Sequence, residues 1–475
     1  MKIRVSRLYP FLFLFSIAIA TALLNSSQVK AQVVIEHGEL TPAGGGRFES
    51  VPTDQITDEQ RLEIQMNIRR NIENLEREGR LEPARPEAVP LAWPLAKASG
   101  VTDFFVEGIS NYVDQNLLFP NQLRDWNCGS RTYDQANGYN HAGIDIFTWP
   151  FSWKKVDDNS VEIRAAAPGT IIFKSDGNFD RNCAFGNGDW NAVYVRHGDN
   201  SVAWYGHMKN GSLTSKIVGD TVVAGEKLGI VGSSGNSTGP HLHFELYNAN
   251  NQLQDPFQGT CNTMNATSWW IAQEPYRNSR LNALKTQSGP PVFPTCPATE
   301  TTNEKTVFQR GETIYTAAYY RDQLTGQQTL YSLIDPNGTT VQSWSGTSAQ
   351  IYDASYWWWS WPIAANAVQG NWKFRAVYNS VTYETPFVVG QASATISGKV
   401  TTPSGGALRN VVVSLIDSAN VRRTATTSSF GLFSFENVAT GASYTMAVAS
   451  KRYRFSPQVL QVNGNLTGVD FVGLE

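Results

Sequence analysis

Two stretches of this chain set histidine and carboxylate side chains at even spacings inside apolar runs: Asn140-His141-Ala142-Gly143-Ile144-Asp145-Ile146 and Gly239-Pro240-His241-Leu242-His243-Phe244-Glu245. An extended strand sends successive side chains to opposite faces, so residues two apart share a face. Read as strands, the first puts His141, Gly143 and Asp145 on one side with Ile144 behind, and the second pairs His241 with His243 over a core-facing Leu242. Side by side, two such strands gather three or four nitrogen and oxygen donors, and Gly143 leaves room between them.

The surrounding sequence supports strands. From about Leu91 to Pro294, short β-branched and aromatic runs such as Ala192-Val193-Tyr194-Val195 and Leu228-Gly229-Ile230-Val231 alternate with Gly, Asn and Asp turns, the pattern of an antiparallel β domain, here drawn over 91–296. Further runs, Thr313 to Tyr320 and Gly370 to Val377, predict a β-sandwich over 303–390. There Trp357, Trp359 and Trp361 fall on one strand face and Trp358 on the other; core packing or a glycan-stacking surface would use them. A last segment, 393–475, begins Ala394-Thr395-Ile396-Ser397-Gly398-Lys399-Val400 and continues through Val411 to Leu415 and Phe430 to Phe435. At roughly 150 residues per domain, 475 residues suit about three domains.

The N-terminal part differs. Lys2, Arg4 and Arg7 precede an apolar run from Leu8 to Leu24, and Val29-Lys30-Ala31 ends it, which predicts a signal peptide over 1–31 and export to a periplasm or beyond. Residues 32–90 form a leader with one amphipathic helix, in which Ile64, Ile68, Ile72 and Leu75 recur at helical spacing, Thr57 and Gln60 make a capping box, and Gly79 and Pro83 stop it. The leader is a docked pro-segment or a linker. In an exported chain the four cysteines suggest two disulfides; Cys128 with Cys183 and Cys261 with Cys296 are favoured because each pair lies within or flanks one domain. A net charge of −3 lacks the basic footprint of a nucleic-acid binder, and no later segment is apolar enough for a membrane anchor. A soluble monomer is expected.

Zinc takes imidazole nitrogen and carboxylate oxygen at about 2.0–2.2 Å, and a catalytic site keeps three protein ligands plus a water. Two histidines and an aspartate meet that need. Between the two motifs lie Tyr205-Gly206-His207 and Gly232-Ser233-Ser234-Gly235-Asn236-Ser237-Thr238-Gly239, a run that lacks the Lys-Ser/Thr ending of a phosphate loop and reads as a turn. From Ala142 to Leu246 the order His-x-Gly-x-Asp, Tyr-Gly-His, Gly-Pro-His-Leu-His-Phe-Glu resembles the lysostaphin-type (LytM-like) zinc endopeptidases.

That resemblance implies a mainly β fold with an antiparallel groove, duplicated hybrid motif-like, followed by two sandwiches. It implies His141, Asp145 and His243 as zinc ligands, His241 and His207 as non-ligand catalytic histidines, and peptide bonds of peptidoglycan stems or cross-bridges as substrate, often with glycine at the scissile bond. Zinc would acidify a bound water, with His241 as general base and His207 at the oxyanion or leaving amine. The last segment resembles carboxypeptidase-regulatory-like, prealbumin-type modules, which implies a seven-stranded accessory domain. His197 reads as structural, and His37 as a leader residue or a ligand to an inhibited site. An insertion with Trp149, Phe151 and Trp153 and a loop with Phe179, Cys183 and Trp190 depart from the compact family pattern and are expected to wall the groove. The rivals are a secreted endopeptidase for other Gly-rich proteins and a non-catalytic wall-binding or amidase-activating protein.

Overall fold

Period-two alternation dictates the central sheet. The computed structural model describes residues 39–48, 52–81, 89–186, 188–390, 393–440 and 442–474; the expected signal peptide and His37 lie outside them. The sheet runs, in spatial order, Glu107–Asn111, Ile144–Thr148, His241–Tyr247, Val202–Gly206, Ala192–His197, Gly169–Ser175 and Thr221–Val222, each pair antiparallel. One face buries Ile144, Ile146, Leu242, Phe244, Leu246, Ala203, Tyr205, Val193 and Val195 in the main core. The opposite face carries the histidines at one end and Tyr194, Trp204 and Tyr247 beyond them.

The leader helix covers that second set. Asp58–Arg77 is helical, Thr57 caps it, and the Thr57 and Gln60 side chains each take the other's backbone N–H, as the capping box requires. Its buried face, Ile64, Ile68 and Leu75 with Ile56 ahead of it, packs on Ile172, Tyr194, Trp204 and Tyr247. Each buried aliphatic side chain is worth about 1.5–3 kcal/mol. Among the described residues no helix is long and apolar enough to cross a membrane.

Two sheets form the next body. One is ordered Val307–Phe308, Val381–Val389, Gly370–Tyr378, Gln328–Ile334 and Thr340–Thr347; the other is ordered Gly44–Arg47, Tyr352–Pro362, Thr313–Gln323 and Arg280–Gln287. A leader strand is thus the edge of the second sheet. Trp359 is buried and Trp357 and Trp361 pack on the core between the sheets, while Trp358 faces the cluster on the other side, the parity expected of this strand. The C-terminal segment folds as sheets of three and four strands around Ile396, Val413, Met446 and Phe471.

The central-sheet and sandwich bodies are welded together. Trp149 and Phe151, expected to wall the groove, are buried against Ala317, Tyr319 and Ala354 of the sandwich instead. Trp153 is also buried, under the Arg181 guanidinium at 4.7 Å. The disulfides join Cys128 to Cys261 and Cys183 to Cys296, which corrects the pairs favoured from sequence proximity. The chain returns to each cysteine from far away: Cys261 N–H donates to Trp126 O at 3.0 Å, and Arg181, near Cys183, donates to Pro297 O at 2.7 Å beside Cys296.

Buried ion pairs cross the same interface. Arg321 meets Glu107 at 2.9 Å, Arg131 meets Asp322 at 2.7 Å, and Asp103 pairs with Lys155 of the central-sheet body and, at 2.7 Å, with Lys285 of the sandwich sheet. Burial works against the Asp103 charge, but the two ammonium groups more than offset it and hold its pKa below the usual carboxylate range. Asp103→Asn leaves the buried Lys155 ammonium without its carboxylate, while Lys285 keeps Glu304 at 3.3 Å, and should cost about 3–5 kcal/mol at neutral pH. An acid with a lowered folded pKa stabilises above its unfolded value and loses that contribution as pH falls through the folded one. The variant's deficit in denaturant unfolding should therefore shrink as the pH drops below about 4.

Candidate metal centre

One row across the sheet builds the site. Asp145 lies directly opposite His243, His243 opposite Gly206, and Asn111 opposite Asp145. Cross-strand neighbours of this kind stand about 4.5–5.5 Å apart at Cβ, so the register alone brings an imidazole and a carboxylate together. His241 sits two residues back along the same strand and face. His141 departs from expectation: it precedes the strand Ile144–Thr148 and reaches the row from a coil. Glycines make the space: a Cβ on Gly143 would lie 2.5 Å from the His243 ring, and one on Gly206 would lie 2.0 Å from Trp190.

Hydrogen bonds to carbonyls and a carboxylate fix which nitrogens face inward. His141 Nδ1–H donates to Tyr112 O at 2.7 Å, leaving Nε2 3.1 Å from Asp145 Oδ1. His243 Nε2–H donates to Glu245 Oε1 at 2.9 Å, leaving Nδ1 2.9 Å from Asp145 Oδ1. The two inward nitrogens are 3.4 Å apart. Unshared pairs converging on one another repel unless a cation stands among them, and this arrangement of outer acceptors orienting imidazole ligands is how proteins hold zinc.

His241 and His207 flank the cluster. His241 Nδ1–H donates to Gly239 O at 2.8 Å, while its buried Nε2, 3.5 Å from Asp145 Oδ1, has no hydrogen-bond partner. Burial, and then the neighbouring charge of His207, push its pKa down to about 4, so it is a neutral acceptor at pH 7. His207 has φ 58°, a left-handed conformation that turns its ring back toward the site, where Nδ1–H donates to Ser234 O at 2.6 Å. His197 lies apart from these groups, its Nδ1–H on Pro168 O at 2.9 Å.

Sequence reasoning missed several participants. Asp54 of the leader enters the cluster with Oδ2 2.8 Å from His243 Nδ1 and 3.0 Å from His207 Nε2; with His141, Asp145 and His243 it forms a group whose ligand atoms all lie within 4.8 Å. Burial opposes its ionisation, but the two neighbouring imidazoles, His243 first and then His207, hold its pKa well below the usual range. Glu245 accepts from both Arg61 guanidinium nitrogens, at 2.6 and 2.8 Å, and from Tyr247 at 2.6 Å. Burial opposes its charge too, yet Arg61 first and then His243 bring its pKa down to about 2. Strand parity could have found Glu245, which shares a face with His243; a lone aspartate in a leader carries no such signal.

Residues 139–256 match the model of Peptidase family M23 and residues 395–472 that of the carboxypeptidase regulatory-like domain. The chain is 42% identical over 105 residues to the DD-carboxypeptidase/endopeptidase Mpg of Neisseria meningitidis serogroup B, covering 22% of this chain and 19% of that protein. It is 32% identical over 123 residues to glycyl-glycine endopeptidase ALE-1 of Staphylococcus capitis, covering 25% and 29%. The matches thus span less than a third of these curated relatives. Among solved structures, the catalytic domain of lysostaphin from Staphylococcus simulans aligns at 28% identity with a TM-score of 0.20, over 26% of this chain and 83% of that one.

The cluster tolerates no added bulk at Gly143. Gly143→Ala should push the His243 ring out of line and weaken metal binding by about 10–100-fold, measured by competition with a zinc chelator.

Proposed function

We propose that the chain is an exported zinc metalloendopeptidase that hydrolyses peptide bonds in peptidoglycan stem peptides or cross-bridges. The observation that carries this reading is the convergence of two imidazole lone pairs on one carboxylate beside a buried, unpartnered His241 Nε2, within the segment that matches the M23 model. Mpg, ALE-1 and the peptidoglycan DD-endopeptidase ShyC of Vibrio cholerae are named for endopeptidase activity, which supports the substrate class. Residues 91–296 would be the catalytic domain, with 303–390 and 393–475 as accessory sandwiches.

His141 Nε2, Asp145 and His243 Nδ1 would hold the zinc. When bound, zinc supplies Lewis acidity toward a scissile carbonyl and lowers the pKa of water toward about 7. His241, fixed by its bond to Gly239, offers Nε2 as proton acceptor. His207, fixed by Ser234 and aimed at the same centre, would donate to the developing oxyanion or the leaving amine. Glu245 keeps His243 in the tautomer a ligand needs, and Asn111 Nδ2 donates to Asp145 Oδ2 at 3.1 Å, leaving Oδ1 for the metal. All five family positions are filled, which weighs against a silent wall-binding role.

The two histidines of one strand should separate. His243→Ala should lose bound zinc, whereas His241→Ala should keep it and lose roughly 10²–10⁴-fold in the rate of amino-group release from purified peptidoglycan. Zinc content and mass spectrometry of the products check both. Release that persists in His243→Ala would remove the reading.

A further inference from the structure

The C-terminal module gathers its charge at one end. Its three-stranded sheet places Ser393–Thr401 between Leu432–Ala439 and Phe471–Val472, with Lys399 opposite Leu432 and Thr401 opposite Val472. Alternation sends Val400, Phe433 and Phe471 into the core, each at most 5% exposed, and turns Lys399, Leu432 and Val472 outward on one shared face. Loops close over this end of the sheet. Leu408 N–H donates to Val400 O at 3.0 Å, Asn410 N–H to Thr427 O at 3.0 Å, and Leu474 N–H to Arg454 O at 2.8 Å. The chain enters the module at Ser393, opposite Ala439 at the other end of the same strands, so this tip is the end remote from that entry.

Two kinds of side chain crowd the tip. Lys399, Arg409, Lys451, Arg452 and Arg454 are there, and the one carboxylate among the described residues of these loops and strand ends, Asp470, accepts the backbone N–H of Lys399 at 2.8 Å. The module's other two cations, Arg422 and Arg423, lie at the opposite end, where Arg422 pairs with Ile416 and Arg423 donates to Asn437 O at 3.0 Å. Interleaved with the five cations are apolar groups facing water: Phe430 is 72% exposed, Val472 57%, Leu432 53% and Leu474 52%. Phe430 stands on the turn between Arg422–Thr426 and Leu432–Ala439, which Gly431 N–H closes by donating to Ser428 O at 2.9 Å.

Exposed apolar side chains gain free energy only where a partner removes them from water, and uncompensated cations beside them call for anions at the same surface. An anionic bilayer meets both demands, because hydrocarbon lies directly beneath its layer of phosphates. A soluble polyanion would meet the cations and leave Phe430 in water. We propose that the tip of residues 393–475 docks on an anionic phospholipid bilayer, with Phe430, Leu432, Val472 and Leu474 entering the boundary between headgroups and acyl chains and the five cations meeting lipid phosphates. This docking is independent of the peptidase chemistry and holds the chain at a membrane face.

The test is co-sedimentation of the full mature chain with vesicles of phosphatidylcholine alone or mixed with phosphatidylglycerol, at low and high salt. Binding should require phosphatidylglycerol and weaken with salt. Phe430→Ser should lower the affinity by about tenfold or more, and Arg452→Gln by about fivefold, whereas Arg423→Gln, at the other end of the module, should bind as wild type does. Phe430 and Arg452 are exposed, so both variants should melt with the wild type; if Phe430→Ser melts early, Leu432→Ser carries the same test. Absence of binding to the mixed vesicles, or equal binding by wild type and the serine variant, overturns the inference. Binding to soluble polyglycerol phosphate that is as tight as binding to vesicles and indifferent to the serine substitution also overturns it, and would make the tip a polyanion site instead.

Discussion

The cross-strand pairing of Asp145 with His243 is the contact on which the rest of the site depends. It is set by backbone register, and a slip of one residue would turn His243 into the core and Leu242 into the site. The register is secured by apolar packing on the other face, where Ile144, Ile146, Leu242 and Phe244 are fully buried. Core packing and site geometry are thus the same constraint seen from two sides of one sheet. Each donor is then oriented by an acceptor outside the cluster: Tyr112 O for His141, Glu245 for His243, Gly239 O for His241 and Ser234 O for His207.

Burial at this depth makes charge balance compulsory. Asp54, Asp145 and Glu245 are all at most 1% exposed, and uncompensated carboxylates in such surroundings would be prohibitively costly. Glu245 is balanced by Arg61 from the leader, with the guanidinium also lying 5.5 Å over the Trp204 ring. Asp54 and Asp145 are balanced only by imidazoles and by whatever cation the cluster binds. The leader therefore contributes one anion to the centre and one cation to the residue behind it, so its docking and the electrostatics of the centre are coupled.

Much of this was legible in the sequence because it obeys short-range rules. The capping box at Thr57 and Gln60, the shared face of His241 and His243, the space reserved at Gly143 and the parity of Trp357, Trp358 and Trp359 follow from periods of 3.6 or 2.0 and from side-chain size. What escaped was long-range. Asp54 meets His207 across 153 positions of chain, and the disulfides span 133 and 113; no local pattern records such returns. Trp149 and Phe151 illustrate a related limit, since an aromatic cluster announces burial without saying whether substrate or a second domain supplies the cover.

The position of the leader strand gives the accessory sandwich a mechanical part in the assembly. Gly44–Arg47 pairs with an edge strand, and edges of this kind accept competing strands. Its glycines bury almost no side chain, so this anchor holds mainly through backbone hydrogen bonds, whereas the helix downstream is held by Ile64, Ile68, Leu75 and the Arg61 ion pair. Of the two anchors flanking Asp54, the strand is the weaker.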